Sequence, residues 1–265
     1  MSGVDGEPAG PLGGILVVIP TYDEVANVED AVRGVRAALP AADVLVTDDA
    51  SPDGTGALAD ELADADPQVH VLHRRAKEGL GAAYRAGFRW GLRRGYAVFC
   101  QLDADGSHRP DQLPAVVAGL DGGADLSLGS RWVPGGAVRN WPLRRALLSR
   151  GGNAYVRLAL GLPVHDATGG FRAIRRGTLE RIDIADVASA GYCFQVDVIR
   201  RTIGAGLTVV EVPIVFVERE RGYSKMSGSI VREALWRVTG WALAYRAGAV
   251  RHRLGSRPAS PERGG

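Results

Sequence analysis

Cysteines, long apolar runs and low-complexity tracts are scarce or absent in this sequence. Its 265 residues include two cysteines, Cys100 and Cys193, and nothing in their placement suggests a disulfide framework or a cysteine metal site. No apolar stretch of about 18 residues is free of charge, so no transmembrane helix is expected. Residues 1–14 are rich in glycine and proline and lack the apolar core of a signal peptide, so we expect them to be disordered. These absences favour a reducing, cytosolic compartment.

Negative charge is scarce toward the carboxyl end of the chain. The formal net charge is only +2, yet residues 219–265 carry ten Lys or Arg against three Asp or Glu. This basic tail predicts an anionic partner, which would be a membrane surface, a phosphate group or a nucleic acid. No strand with interleaved aromatic and basic residues appears, which argues against nucleic acid.

Apolar runs alternate with helical segments through the first hundred residues. The runs predict buried strands at residues 15–19, 43–47, 69–73 and 96–100. Between them, helices are predicted at about 27–39, 56–63 and 79–94. This order is typical of an α/β fold with a mostly parallel sheet, right-handed crossovers and helices on both faces.

The second half of the chain is less regular. Helices are predicted at about 109–120, from 141–145 to 160, at 175–182 and at 194–203, with a strand at 125–130. Residues 163–172 are predicted to form a polar loop. Residues 208–217 are predicted to form an apolar, β-branched strand, and Pro213 within it indicates an edge or a bulge.

A last amphipathic helix is predicted at residues 229–254, followed by a disordered tail at 255–265. The helix carries Trp236, Trp241 and Tyr245 among apolar residues, together with several arginines. Either it packs against the core, or it lies in a membrane interface with its aromatic side chains at the level of the lipid headgroups.

Polar, mostly acidic clusters follow three of the predicted strands. They are Thr21-Tyr22-Asp23-Glu24, Asp48-Asp49 and Asp103-x-Asp105. The carboxyl ends of parallel strands meet at one edge of the sheet, where such folds bind ligands. Two like charges at that edge need a cation between them, and Mg²⁺ or Mn²⁺ carrying a diphosphate would supply it. The alternative for Asp103-x-Asp105 alone is a polar turn that caps the strand.

Six motifs in order resemble one known family. They are Val18-Ile19-Pro20-Thr21-Tyr22-Asp23-Glu24, Asp48-Asp49-Ala50-Ser51-Pro52-Asp53-Gly54-Thr55, Lys77-x-Gly79-Leu80-Gly81, Asp103-Ala104-Asp105, Gly129-Ser130-Arg131 and Arg221-x-x-Ser224-Lys225. Over residues 15–250 the set is similar to family 2 glycosyltransferases of the dolichyl- or polyprenol-phosphate mannose synthase type. The resemblance implies a GT-A fold, here at residues 15–228, and GDP-mannose as donor. It also implies Mg²⁺ or Mn²⁺ as cofactor, a polyprenyl phosphate acceptor and inversion at the sugar carbon.

The resemblance also implies roles for individual residues. Donor binding is expected from Pro20, Tyr22, Glu24, Thr47, Asp49, Lys77 and Asp103. Metal binding is expected from Asp103, Asp105 and Ser107, although Ser107 is equally well explained as a helix N-cap. Acceptor-phosphate binding is expected from Arg131, Arg144, Arg145, Arg221 and Lys225. The residues expected to act most directly in catalysis are Asp105, Arg131, Arg219 and Lys225. Asp166 and Asp197 are candidates for contacts with the sugar hydroxyls, and Asp197 could instead be a helix-terminal carboxylate.

The acceptor is itself anionic near neutral pH, since the second pKa of a phosphate monoester is about 6. Its oxygen can attack the sugar without a strong general base, so the enzyme has to position the reactants and manage their charge. Planar arginine side chains suit that task.

Three alternatives differ in function. The same fold could transfer glucose or an N-acetylhexosamine. A nucleotidyltransferase is disfavoured, because a basic glycine-rich loop does not follow the first strand. A non-enzymatic basic scaffold is disfavoured by the intact acidic site. We expect a cytoplasmic protein, peripheral on the inner face of the membrane, that docks through the last helix, the Arg131–Arg145 region or a separate anchor protein.

Overall fold

The computed structural model describes residues 13–187, 191–219 and 236–243. In these ranges the strands are β1 (Ile15–Thr21), β2 (Ala42–Asp48), β3 (Val69–His73), β4 (Val98–Gln101), β5 (Leu126–Ser130), β6 (Ala137–Arg139), β7 (Arg172–Arg175), β8 (Val209–Pro213) and β9 (Val215–Val217). The α-helices are α1 (Val28–Ala38), α2 (Thr55–Ala65), α3 (Leu80–Arg94), α4 (Leu113–Ala118), α5 (Leu143–Leu160), α6 (Arg176–Arg181) and α7 (Gly191–Gly204). Short 3₁₀ helices span Pro110–Gln112 and Ile184–Asp186.

The central sheet has seven strands in the order β3-β2-β1-β4-β7-β5-β8. Neighbours run parallel, except that β7 runs antiparallel to both β4 and β5. The prediction of a mostly parallel α/β sheet is therefore confirmed. The predicted end of the polar loop at 163–172 is wrong, because Arg172 already belongs to β7. A second sheet pairs β6 with β9 in parallel.

Both faces of the sheet are covered by apolar side chains. Alternate residues of β1 enter two different clusters, Leu16 and Val18 on one face and Val17 and Ile19 on the other. Helix α3 lies so close to the first face that a Cβ atom at Gly91 would come within 2.5 Å of Leu16 Cδ2. This double burial explains why the strands are continuous apolar runs rather than alternating ones.

The predicted strand at 208–217 is two strands in two sheets. Strand β8 lies at the edge of the central sheet and ends at Pro213, as its proline predicts. After Ile214 the chain passes to β9 in the small sheet. The predicted helix at 109–120 likewise begins as a 3₁₀ turn whose N-cap position is Arg109, so Ser107 does not cap it.

Residues 236–243 are helical and contact the rest of the fold. Val238 and Ala242 are buried, while Trp236 and Leu243 are exposed. Thr239 Oγ1 lies 2.7 Å from Tyr155 Oη on α5. For this segment the core-packed alternative is the better description. The remainder of the predicted helix at 229–254, and both predicted disordered termini apart from residues 13 and 14, lie outside the described residues. No helix in the described part of the chain is long and apolar enough to cross a membrane.

Candidate active site

Asp103 follows β4 at the carboxyl edge of the sheet and is held by α3 and its own loop. Tyr84 Oη donates a hydrogen bond of 2.9 Å to Asp103 Oδ1. The backbone N–H of Asp103 donates to His108 Nδ1 at 3.1 Å. Burial, reinforced by the negative charge of Asp103, raises the pKa of the Tyr84 hydroxyl, so Tyr84 remains a proton donor to the carboxylate. Neither Tyr84 nor His108 was predicted from the sequence as a site residue.

Asp105 lies on the same loop and is paired with the segment that follows β9. Its Oδ1 accepts the backbone N–H of Ser107 at 3.0 Å, and its Oδ2 lies 2.7 Å from Arg219 Nη2. Arg219 therefore brings a positive charge to the loop that carries the two carboxylates. The predicted site residues Asp105, Ser107 and Arg219 thus lie together on the side of the fold that carries Asp103.

The oxygen atoms of Asp103, Asp105 and Ser107 suit a hard divalent cation. Among the described residues, no group of three or more His, Cys, Asp or Glu could hold a metal ion by itself. Mg²⁺ and Mn²⁺ usually take one or two protein carboxylates and complete their coordination with substrate phosphates and water. The residues present fit a cation of that kind, bound together with a diphosphate.

The loops after β1 and β2 are hydrogen-bonded to each other. The backbone N–H groups of Asp23, Glu24 and Val25 donate to Ser51 Oγ, Thr55 Oγ1 and Asp53 Oδ2, at 3.1, 2.9 and 3.1 Å. Burial tends to raise the pKa of Asp53, but hydrogen bonds from Thr55 and from the Val25 N–H lower it overall. The loops thus form a preorganised cradle beside the acidic pair.

Most of the predicted donor-binding residues lie in or near this cradle. Lys77 Nζ is 3.7 Å from the centre of the Tyr22 ring, a cation–π contact. Asn27 Nδ2 donates to Glu24 Oε2 at 2.8 Å. Asp49 forms an ion pair with Arg74, which the sequence analysis did not single out. Burial raises the pKa of Asp49 despite that arginine. Pro20 is the penultimate residue of β1.

Thr47 requires a correction. Its side chain is fully buried, and a Cβ atom at Gly87 of α3 would come within 3.2 Å of Thr47 Oγ1. The side chain therefore belongs to the packing between β2 and α3. In this structure the Thr47 side chain is not accessible to a donor.

Arg131 and Asp166, predicted to bind a phosphate and a sugar respectively, bind each other. Arg131 Nε and Nη2 lie 2.7 and 2.6 Å from the two oxygens of Asp166, which is fully buried. Asn153 Nδ2 lies 3.3 Å from Asp166 Oδ1. Asp166 is thus not accessible to a sugar hydroxyl in this structure, and its observed contact is with Arg131.

Aromatic rings and further arginines surround Arg131. Its Cζ lies 5.2 to 5.8 Å from the ring centres of Trp132, Trp141 and Phe216. Beside it is a cavity of about 290 Å³, whose lining includes four basic side chains, those of Arg131, Arg150, Arg157 and His165. Arg150 and Arg157 are seven residues apart on α5, a spacing of about two helical turns that places them on one side. Neither arginine was predicted from the sequence, although their spacing is a readable signal.

The other predicted cations and carboxylates are placed as follows. Arg145 pairs with Glu218 and lies 4.2 Å from the centre of the Trp141 ring. Arg144 is exposed in the first turn of α5. Asp197 lies inside α7 rather than at its end and pairs with Arg200 at 2.6 Å and Arg201 at 3.4 Å. Arg221 and Lys225 lie outside the described residues.

Comparison with known proteins gives one consistent result. The model of the family described as "Glycosyl transferase family 2" matches residues 16–183. A polyprenol monophosphomannose synthase of Mycolicibacterium smegmatis is 56% identical over 92% of this chain and 93% of its own length. An undecaprenyl-phosphate mannosyltransferase of Micrococcus luteus is 54% identical over 91% of this chain and 99% of its own.

Two solved structures share the fold at low sequence identity. Glucosyl-3-phosphoglycerate synthase from Mycobacterium tuberculosis, in complex with Mn²⁺, UDP and glucosyl-3-phosphoglycerate, is 18% identical with a TM-score of 0.62, over 86% of this chain and 80% of that one. A mannosyltransferase from Pyrobaculum calidifontis, in complex with GDP-Man and Mn²⁺, is 18% identical with a TM-score of 0.51, over 96% and 79%.

Proposed function

The chain belongs to glycosyl transferase family 2 and is a glycosyltransferase with a GT-A fold; we propose that it transfers mannose from GDP-mannose to a polyprenyl phosphate, with inversion at the sugar carbon. One observation carries the proposal. The acidic pair Asp103 and Asp105 lies at the carboxyl edge of the sheet. A chain of contacts leads from it to the basic, aromatic region: His108 lies 3.8 Å from Asp103, and the Phe216 ring contacts both His108 and Arg131. The site thus has an acidic side for a metal-bound diphosphate and a basic side for a second anion.

The donor would lie in the cradle formed after β1 and β2. Tyr22, Glu24, Asp49 and Lys77 would contact the nucleotide, and Asp103, Asp105 and Ser107 would hold a divalent metal. The metal supplies positive charge to the diphosphate leaving group. Arg219, already paired with Asp105, adds a positive charge on the same side. The named mannosyltransferase relatives and the neighbour that binds GDP-Man support this choice of donor.

The acceptor phosphate would bind on the basic side. The cavity beside Arg131 also has Arg150, Arg157 and His165 in its lining, and Arg145 stands nearby over Trp141. These groups would neutralise and orient a phosphate monoester, whose own oxygen attacks the sugar carbon. We propose that Asp166 fixes the plane of the Arg131 guanidinium by binding it at two points. No side chain has to remove a proton in this mechanism.

Helix α5 would bring this side of the protein to the membrane. Leu143, Leu147, Leu148 and Leu158 are exposed at 75%, 59%, 55% and 76%. At about 100° per residue, Leu143, Leu147 and Leu158 fall within about 60° of arc on the helix surface. Arg144 and Arg150 are exposed on the same helix. An apolar strip bordered by arginines suits the surface of an anionic bilayer, where a polyprenyl phosphate resides. We infer a peripheral position on the inner face of the membrane.

A comparison of donors tests the sugar assignment. Purified protein is supplied with a short polyprenyl phosphate and, in separate reactions, with labelled GDP-mannose, UDP-glucose or UDP-N-acetylglucosamine. We expect labelled lipid to form from GDP-mannose alone, or at a rate at least about tenfold higher with GDP-mannose than with either UDP-sugar. Faster transfer from a UDP-sugar would replace the donor assignment by the alternative that keeps the same fold and acceptor.

A further inference from the structure

Gln195 on α7 is a buried amide without a protein partner. Its side chain is 2% exposed. Neither its Oε1 nor its Nε2 forms a hydrogen bond with any residue in the described part of the chain. Buried amides are nearly always hydrogen-bonded, because leaving both groups unpaired sacrifices the bonds they would make with water. Such a residue needs a partner, and a ligand can provide one.

The main chain at Gln195 is held rigidly. Arg172 of β7 is fully buried and donates from Nη1 to the backbone carbonyl of Gln195 at 2.9 Å. The same guanidinium donates to the carbonyl oxygens of Gly169 and Ala167, at 2.9 and 3.0 Å. One side chain therefore ties α7 to the loop that precedes β7. The backbone from which the Gln195 side chain extends is therefore fixed, which favours a ligand-binding group.

The amide borders the acidic pair across Gly170. A Cβ atom at Gly170 would lie 3.4 Å from Gln195 Nε2, 3.4 Å from His108 Cε1 and 3.7 Å from Asp103 Oδ2. The unpaired amide and a carboxylate that is expected to bind the metal therefore both border the space beside Gly170. Phe194, the residue before Gln195, stacks on Tyr84, which in turn donates to Asp103.

We propose that the Gln195 carboxamide binds hydroxyl groups of the sugar carried by the nucleotide donor, and that Gln195 is a specificity-determining residue. The proposal rests on the proposed function, in which Asp103 marks the position of the metal-bound diphosphate and hence of the sugar attached to it. A carboxamide has both an acceptor oxygen and a donor nitrogen, so it can bind two neighbouring hydroxyl groups at once. Because it is neutral, it selects by hydrogen-bond geometry and does not oppose the nearby metal charge.

The variant Gln195→Met tests the proposal, because methionine has a similar length and no amide. Isothermal titration calorimetry in the presence of Mn²⁺ measures the affinities of the original protein and the variant for GDP-mannose and for GDP. Thermal unfolding of both ligand-free proteins is followed in parallel. The affinity for GDP-mannose is expected to fall about tenfold while that for GDP stays within about twofold. The melting temperature should not fall, because an unpaired buried amide has been removed. Equal losses for both ligands, an unchanged affinity for GDP-mannose or a lower melting temperature would each overturn the assignment.

Gln101→Met is the matched control. Gln101 of β4 is also fully buried, and both polar atoms of its side chain are unpaired among the described residues. Its replacement should leave the ratio of the GDP-mannose and GDP affinities unchanged, whereas a change as large as that of Gln195→Met would overturn the proposal. If Gln195→Met does not fold, Gln195→Asn withdraws the amide by one methylene. This variant should likewise bind GDP-mannose more weakly and GDP equally well. An affinity for GDP-mannose equal to that of the original protein would count against the assignment.

Failure of this inference is distinguishable from failure of the proposed function. If the original protein prefers a UDP-sugar, the donor assignment fails, and the same titrations are made with that nucleotide sugar against UDP. A selective loss of the sugar-bearing ligand in Gln195→Met then supports the inference. If the original protein transfers mannose but the variant binds both ligands normally, only the inference about Gln195 fails.

Discussion

Arg131 and Asp166 form a two-point ion pair in the protein interior. Besides the two guanidinium contacts of 2.7 and 2.6 Å, Asp166 Oδ2 accepts the backbone N–H of Arg131 at 2.9 Å. Three bonds between two residues fix both the main chain and the side chain of Arg131. The carboxylate therefore sets the orientation of an arginine that also faces three aromatic rings.

Breaking this pair should destabilise the protein strongly. Asp166→Asn removes the countercharge of a guanidinium that is only 8% exposed. We expect the free energy of unfolding, measured by urea denaturation, to fall by about 3–5 kcal/mol. The control is Asp111→Asn, which breaks an exposed pair with Arg109 and should cost at most about 1 kcal/mol. A similar small loss in both variants would show that the Arg131–Asp166 pair does not support the fold.

The proposed mechanism has no general base, which gives a prediction about three variants. Asp105→Asn should nearly abolish mannose transfer, because it removes one of two charges expected to hold the metal. Arg131→Ala should do the same, because it removes the central cation of the basic side. Asp197→Asn should retain measurable transfer, because Asp197 pairs with arginines of its own helix. Initial rates at saturating substrates compare the three. Equally severe losses would contradict a mechanism without a base.

Both cysteines should resist thiol reagents in the folded protein. Cys100 and Cys193 are buried and form no disulfide with each other. Burial raises the pKa of Cys100 to about 12, so its reactive thiolate form is very rare at pH 8. A chromogenic disulfide reagent should therefore react with fewer than one thiol per chain under native conditions and with two in urea. Rapid labelling of the native protein at this pH would be inconsistent with the packing of β4.

Binding to membranes should depend on α5. Leu147→Gln with Leu158→Gln removes apolar area from the exposed strip without touching the core. Co-sedimentation with vesicles of anionic phospholipid should weaken at least about threefold, whereas Leu80→Gln on α3, also exposed, should have no effect. Deletion of residues 244–265 is made alongside. If the deletion abolishes binding and the α5 variant does not, the carboxyl-terminal segment docks the protein instead.

The first half of the fold was predictable because each element carries its own signal. Strand β1 begins with a continuous apolar run, β2 has an apolar centre at residues 44–46, and Gly79 has a φ of +91° at the start of α3, where a glycine is needed. Strand β7 was not predictable in the same way. Its sequence begins and ends with arginine, which indicates exposure. In the structure, however, Arg172 is fully buried, because the carbonyls of Ala167 and Gly169 in the preceding loop and of Gln195 on α7 accept its hydrogen bonds.

The same distinction applies to the site. Asp103, Asp105 and the loops after β1 and β2 converge as the topology of a parallel sheet requires. Tyr84 and Gln195 come from helices α3 and α7, which only tertiary packing brings to Asp103, whereas His108 lies five residues from Asp103 on the same loop. Asp166 could be recognised as polar and in a loop, but its pairing with Arg131 spans 35 residues and has no local signal.

The transfer reaction tests the central claim most directly. The protein in detergent is given labelled GDP-mannose, Mg²⁺ or Mn²⁺ and a short polyprenyl phosphate, and parallel reactions contain the unphosphorylated polyprenol or a chelator. We predict a mannosyl-phosphate lipid with inverted configuration that forms only with the phosphorylated acceptor and is lost with the chelator. Two results would contradict the account. One is that the protein transfers sugar from a UDP-sugar but no mannose from GDP-mannose. The other is equal transfer to the unphosphorylated alcohol.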